Sequence, residues 1–159
     1  MRHIISVLVD NQFGVLARVS SLFSARGYNI DSLSVGETDD PAISRMTVVA
    51  RGDDRVLEQI VNQLNKLVDT IEVTDLTGED HVERELVMVK IATHNGVRSE
   101  VTEVVNIFRG KVIDIGRDAI TVEVTGSTGK ISAFIDMMRP YGVSELVRTG
   151  KIAIARSPK

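Results

Sequence analysis

Residues 7–30 read VLVDNQFGVLARVSSLFSARGYNI, and the fold turns on how this stretch is parsed. The apolar run Val7 to Val9 stops at Asp10-Asn11, Gly14 follows, and apolar residues then recur at Val15, Leu16, Val19, Leu22 and Phe23. That recurrence is helical spacing along one face of about two and a half turns. A strand therefore feeds a helix through a short polar turn with a glycine at its mouth. Such a turn aims free backbone N–H groups and the positive end of a helix dipole at one point. The residues alone leave two readings open: an ordinary strand-to-helix connection with Asn11 as a turn residue, or an anion site. One glycine and no nearby lysine make a poor cradle for a diphosphate. A single carboxylate fits better, held by backbone N–H groups around Gly14, Val15 and Leu16. The Asn11 amide adds a carbonyl oxygen that can take an ammonium proton. A free amino acid presents that pair of groups.

Composition narrows the classes of function. The chain has 159 residues, enough for one ordinary domain or two small ones. It is 43% hydrophobic and 26% charged, which suits a soluble globular protein. A net charge of −3 gives no general electrostatic reason to bind nucleic acid or anionic membranes. No apolar run approaches the ~20 residues that span a bilayer. The N-terminal segment lacks a long apolar core followed by a small-residue cleavage site, so a mature, cytoplasmic protein is expected. With no cysteine, the sequence has no disulfide, catalytic thiolate or cysteine-ligated zinc. His3, His81 and His94 lack metal-ligand spacing.

Along the chain the same order of elements occurs twice. In the first half, a strand over Ile4 to Val9 precedes the helix just described, and Gly27 suits its stop. A second strand covers Asn29 to Gly36, and an acidic turn at residues 37–41 leads to a third, Ser44 to Ala50. Asp53 or Asp54 caps a second helix, whose apolar stripe is Leu57, Ile60, Val61, Leu64, Leu67 and Val68. Ile71 to Leu76 closes the half. The polar stretch 77–85, TGEDHVERE, reads as a linker, and the order restarts with a strand over Leu86 to Ala92. A helix carrying Val97, Val101, Val104, Val105 and Phe108 follows, then strands over Lys111 to Ile115 and Ala119 to Val124. Ser127 or Thr128 caps a last helix that Pro140 stops, and short strands lie around Val143 to Val147 and Ile152 to Ala155. The expectation is an α+β protein of two consecutive ferredoxin-like β-α-β-β-α-β domains, 1–76 and 86–159, joined by the linker 77–85. The repeat is structural, since the residues themselves do not match between halves.

That architecture poses a burial problem. Each half has only ~75 residues, a size at which one core is marginal. The first strand is apolar on both parities, with Ile5, Val7 and Val9 pointing one way and Ile4 and Leu8 the other. A strand with one wet face alternates instead, as residues 121–124, TVEV, do. The first strand should therefore have cover on both sides or a central place in a larger sheet; something docks on the first half, and self-association is the simplest candidate.

No catalytic constellation emerges. GSTGKIS, residues 126–132, lacks the glycine at 124 and the hydroxyl at 131 that a phosphate loop requires, and reads as a helix-capping turn. The carboxylates at Glu37, Asp39 and Asp40, and at Asp53 and Asp54, sit in turns and suit solvated loops and caps. His94-Asn95-Gly96 precedes a helix but has no second group beside it for proton transfer. Nothing assembles a nucleophile, a base and oxyanion donors.

At this point the residues carry a resemblance. DNQFGVLARVSSLFSARGYNIDSLSVG, residues 10–36, resembles the first half of an ACT domain, a small-molecule-sensing module of amino-acid metabolism. Residues 39–69, then VERELVMVKI at 82–91 and IFRGKVIDI at 107–115, are similar to the small regulatory subunit of acetolactate synthase, in order and at the same spacing. The resemblance implies a chain without cofactors of its own. Its partner would be a large catalytic subunit that holds thiamine diphosphate, Mg2+ and FAD and condenses two pyruvates, or pyruvate with 2-oxobutyrate. The small subunit would raise that activity and confer feedback inhibition by valine or another branched-chain amino acid. It further implies a homodimer through the ACT domain, with effector sites at the interface. Asn11 and Gly14 match the family's effector loop, Val15 and Leu16 its helix start, and Asn29 and Ile30 the start of a strand contributed by the other protomer. Ala17 stands where some relatives carry a small hydroxylated residue. The alternative function is a stand-alone amino-acid sensor with another client; assaying pyruvate consumption with and without the large subunit separates the two.

Overall fold

Ile5, Val7 and Val9 share one face of the first strand and are fully buried, and the rest of the first half is arranged around them. The computed structural model describes residues 1–158. In it the chain divides into two units, one of residues 1–82 together with residues 151–158, the other of residues 83–150.

The first unit runs β1 (Arg2–Asp10), α1 (Val15–Ser24), β2 (Asn29–Glu37), β3 (Ile43–Arg51), α2 (Asp54–Asn65) and β4 (Thr70–Asp75). Its strands form an antiparallel sheet in the order β2-β3-β1-β4. Val15, Val19 and Phe23 of α1 and Leu57, Ile60 and Leu64 of α2 recur at helical spacing and close the core over β1 and β3. Asp53 caps α2 as expected, its Oδ1 accepting the Arg55 N–H at 2.8 Å.

The second unit repeats this plan with β5 (His81–Ala92), α3 (Arg98–Ile107), β6 (Lys111–Ile115), β7 (Ala119–Gly126), α4 (Thr128–Met138) and β8 (Val143–Arg148). Its sheet order, β6-β7-β5-β8, is the first sheet's order one unit later. Both units hold a residue at positive φ before the first helix, Gly14 and Gly96, and another beyond its end, Gly27 and Arg109. The repeat thus lies in the backbone, and the α+β, twice ferredoxin-like reading holds.

Four expectations need correction. The stretch expected as a linker, 77–85, is strand from His81 onward. Its acidic side chains sit in a strand because they have partners: the Glu83 carboxylate accepts from Thr128 Oγ1 at 2.9 Å, and buried Glu85 lies 4.0 Å from Arg148. The same Glu83 contact replaces the expected cap of α4, since the Ser127 side chain makes no capping hydrogen bond and the Thr128 hydroxyl is spent on Glu83. Val68 is not part of the α2 stripe. The helix ends at Asn65, the Leu67 and Thr70 N–H groups close tight turns onto Leu64 and Leu67, and Val68 is left fully exposed. Finally, the last strand, β9 (Ile152–Ala155), pairs with β5 as its place in the chain suggests, yet its segment groups with the first unit.

That placement changes the burial argument. Ile4, Val49, Leu76 and Ala153 form a small core of their own, so this chain's own tail covers the Ile4 side of β1. Arg156 ties the tail down, its N–H donating to Asp80 O at 2.9 Å and its guanidinium pairing with the Asp80 carboxylate at 3.0 Å. A charge at position 153 would be buried without a partner. Ala153→Asp should therefore cost about 2 kcal/mol or more in chemical denaturation, whereas Ile154→Thr, at an exposed neighbour, should change stability by less than about 0.5 kcal/mol.

Candidate effector site at the first strand-to-helix turn

The turn between β1 and α1 is pinned from both sides. The Asp10 N–H donates to Asp69 O at 2.8 Å, and the Asn11 N–H to Ala42 O at 2.7 Å. Gln12 N–H bonds back to Asp10 O at 3.0 Å. The Asn11 side chain completes the clamp, its Nδ2 donating to Pro41 O at 2.9 Å and to Glu37 Oε1 at 3.2 Å. Both amide hydrogens are thereby spent on acceptors, which also fixes the amide's orientation. The carbonyl oxygen Oδ1 is left to accept from elsewhere.

Gly14 sits at the mouth of α1 with φ +83° and ψ −8°, a left-handed conformation that costs an L-residue about 1–2 kcal/mol. No side chain caps α1, and its first turn holds no acidic residue. Helix geometry leaves the N–H groups of that turn without intrahelical partners, so the positive end of the helix stands uncompensated. Val15 N–H makes only a long 3.4 Å contact to Gln12 O. The chemistry available is a site for an anion beside an acceptor for a cation.

The six expected site residues divide by role. Asn11 and Gly14 meet at the turn, and Leu16 is exposed on the first helical turn. The Val15 side chain is buried in the core, so only its backbone can face a ligand. Ile30 packs half-buried against that same core. Asn29 is exposed, and its Nδ2 donates to Asp31 Oδ1 at 3.1 Å. Asp31 in turn accepts from Arg51 Nε at 2.8 Å and Arg2 Nε at 3.1 Å. Burial raises the Asp31 pKa, but the hydrogen bond and charge of Arg51, with Arg2 beside it, more than offset this and hold it below the usual carboxylate value.

Within one chain the structure does not bring Asn11 and Asn29 together. Asn29 stands opposite Arg51, whose other neighbour is Arg2 at the start of β1. Asn11 follows the far end of β1 and contacts Glu37, the last residue of β2. A strand's length, roughly 25–30 Å, separates them.

Sequence reasoning missed three participants. Glu37 and Asp69 reach the turn through tertiary folding, and no local pattern marks them. Arg18 was within reach, being four residues beyond Gly14 and so on the same helical face. Its Nε and Nη2 donate to Asp69 Oδ2 at 3.0 and 2.6 Å. Elsewhere, the Asp40 carboxylate accepts the Ala42 N–H at 2.9 Å as a turn residue. Among the described residues no cluster of three His, Asp or Glu side chains could hold a metal ion, and no helix is long and apolar enough to cross a membrane.

Comparison with known proteins adds an independent line. A family model described as the small subunit of acetolactate synthase matches residues 84–157, and one described as an AHAS small subunit-like ACT domain matches residues 5–72. A probable acetolactate synthase small subunit of Archaeoglobus fulgidus is 52% identical over 159 residues, covering 100% of this chain and 99% of the relative. An acetolactate synthase small subunit of Aquifex aeolicus is 51% identical over 156 residues, covering 98% and 81%. The crystal structure of the acetolactate synthase small subunit from Thermotoga maritima superposes with a TM-score of 0.90 at 39% identity, covering 100% of this chain and 99% of that one.

Gly14 at this turn and Gly129 in α4 should respond oppositely to one added methyl group. At Gly14 an added Cβ meets both the positive φ and the Arg18 Nη1 atom, 3.1 Å away, whereas at helical Gly129 it meets nothing within 4 Å. Gly14→Ala should lower unfolding stability by about 1–2 kcal/mol, and Gly129→Ala should raise it by about 0.5–1 kcal/mol, both read from denaturant midpoints.

Proposed function

The chain belongs to the acetolactate synthase small-subunit family, and we propose that it regulates the synthase in the cytoplasm rather than performing its chemistry. In this reading it activates the large catalytic subunit, which carries the thiamine diphosphate, Mg2+ and FAD, and makes that subunit sensitive to a branched-chain amino acid, valine first. The observation that carries the proposal is the turn at Asn11 to Leu16. There a free carbonyl oxygen stands beside an uncapped, charge-uncompensated helix mouth, which suits the ammonium and carboxylate of one free amino acid.

The distance between Asn11 and Asn29 supports a site made by two chains. β2 is an edge of its sheet, nine residues long, without lysine or proline and irregular against β3 only between Ile30 and Ser32. Val35 on that strand and Phe13 and Leu16 by the turn are exposed apolar residues, as an interface requires. Antiparallel pairing of β2 with β2 of a second copy, about an axis at its middle residue Leu33, sets the partner's Asn29 opposite Glu37. Glu37 already contacts Asn11. The two asparagines then flank one ligand, and effector binding and dimerisation reinforce each other.

Acetolactate formation from pyruvate tests the division of labour. This chain alone, supplied with thiamine diphosphate and Mg2+, should give none, while its addition to a cognate large subunit should raise turnover several-fold and render it valine-sensitive. Turnover by the purified chain, or a large subunit indifferent to it, would overturn the reading.

A further inference from the structure

The Asn11 amide cannot donate to the effector's carboxylate, because Pro41 and Glu37 take both of its hydrogens. A second donor set lies at the same turn. Arg18 directs Nε and Nη2 to a single oxygen of Asp69, at 3.0 and 2.6 Å, and Nη1 has no protein partner among the described residues. Nη1 stands 3.1 Å from the position a Cβ of residue 14 would occupy, so the free end of the fork lies directly against Gly14 at the mouth of α1. The Asp69 backbone is tied to the same turn, its carbonyl accepting the Asp10 N–H at 2.8 Å. The guanidinium is therefore held on one edge and open on the other, a planar donor oriented by its pairing with Asp69.

We propose that Arg18 reads the carboxylate of the amino-acid effector through Nη1, with Asp69 as the residue that positions the fork. This rests on the effector site proposed above and assigns its charged ends. The ammonium goes to Asn11 Oδ1, and the carboxylate to the α1 N–H groups and Arg18. A guanidinium has donors enough for two carboxylates, one on each side of the fork. Asp69 takes only the Nε–Nη2 edge of the fork, so an arriving carboxylate adds charge-assisted hydrogen bonds at Nη1 without first displacing Asp69. The arrangement discriminates a free α-carboxylate from an amide or ester, which distinguishes an amino acid from its derivatives.

The experiment is titration calorimetry on the full chain with L-valine and with L-valinamide, which keeps the ammonium and the side chain but lacks the carboxylate. The wild type should bind valine at least about tenfold more tightly than valinamide. Arg18→Gln should weaken valine by roughly ten- to a hundredfold, while valinamide changes by less than about threefold, so that the preference collapses. Arg18→Gln retaining the wild-type preference would overturn the assignment. So would equal losses for both ligands, which indicate a merely structural arginine. Asn11→Ala run in parallel should weaken both ligands, because it removes the ammonium acceptor. If Asn11→Ala and Arg18→Gln both bind as wild type, the effector lies elsewhere and the site itself falls; if only Arg18→Gln is silent, only the carboxylate assignment falls.

Discussion

Everything at the functional end of the first unit depends on one asparagine side chain whose two amide hydrogens are already committed. Asn11 Nδ2 joins the β1–α1 turn to the carbonyl of Pro41 and the carboxylate of Glu37, while the backbone of Asp10 joins it to Asp69. The turn is thus held between the β2–β3 connection and the α2–β4 connection. A loop fixed on two sides loses little entropy when a ligand arrives. It also has a fixed division of labour: what remains of Asn11 is an acceptor, and the donors for an anion must come from the helix mouth and its neighbours. Gly14 makes this possible by turning the chain through positive φ without a Cβ to fill the space beside Arg18.

The sheet imposes the second constraint. Helices α1 and α2 cover one face of the first sheet, and the Ile4 side is covered in part by the chain's own Ala153. The Ile4 part of that face therefore needs no partner, while Leu8 on the same face stays half-buried. The argument for a partner rests instead on the edge. Strand β2 is the edge strand of its sheet, the position from which a sheet can be extended by another chain. It carries Asn29 at the end remote from Asn11 and Glu37 at the near end. A two-fold axis through such an edge exchanges the two ends, which is the geometry a shared site needs.

Much of this was legible in the sequence. The switch from period two to helical spacing at Asp10 to Val15 marks the first turn, and Leu57, Ile60 and Leu64 mark the buried face of α2. The repeated order of elements identifies the twin sheets. What escaped local reading is what tertiary contacts decide. His81 to Glu85 look like a linker because four of the five are charged or polar, yet Thr128 and Arg148 supply partners that let Glu83 and Glu85 lie in a strand. The tail looks like part of the second half because it follows it, yet Ala153 completes a core with Ile4, Val49 and Leu76. At the site, Asn11 and Gly14 announce themselves through turn chemistry, while Asp69 enters from a connection more than fifty residues away, the Arg18–Asp69 separation being 51.

The two-chain site is tested most directly in a mixed dimer whose one chain carries Asn11→Ala and Asn29→Ala and whose other chain is wild type. If each site takes Asn11 from one protomer and Asn29 from its partner, each loses one asparagine, and valine titration should find two weakened sites and none at full strength. A single wild-type site in that dimer would contradict the shared arrangement and place the effector within one chain.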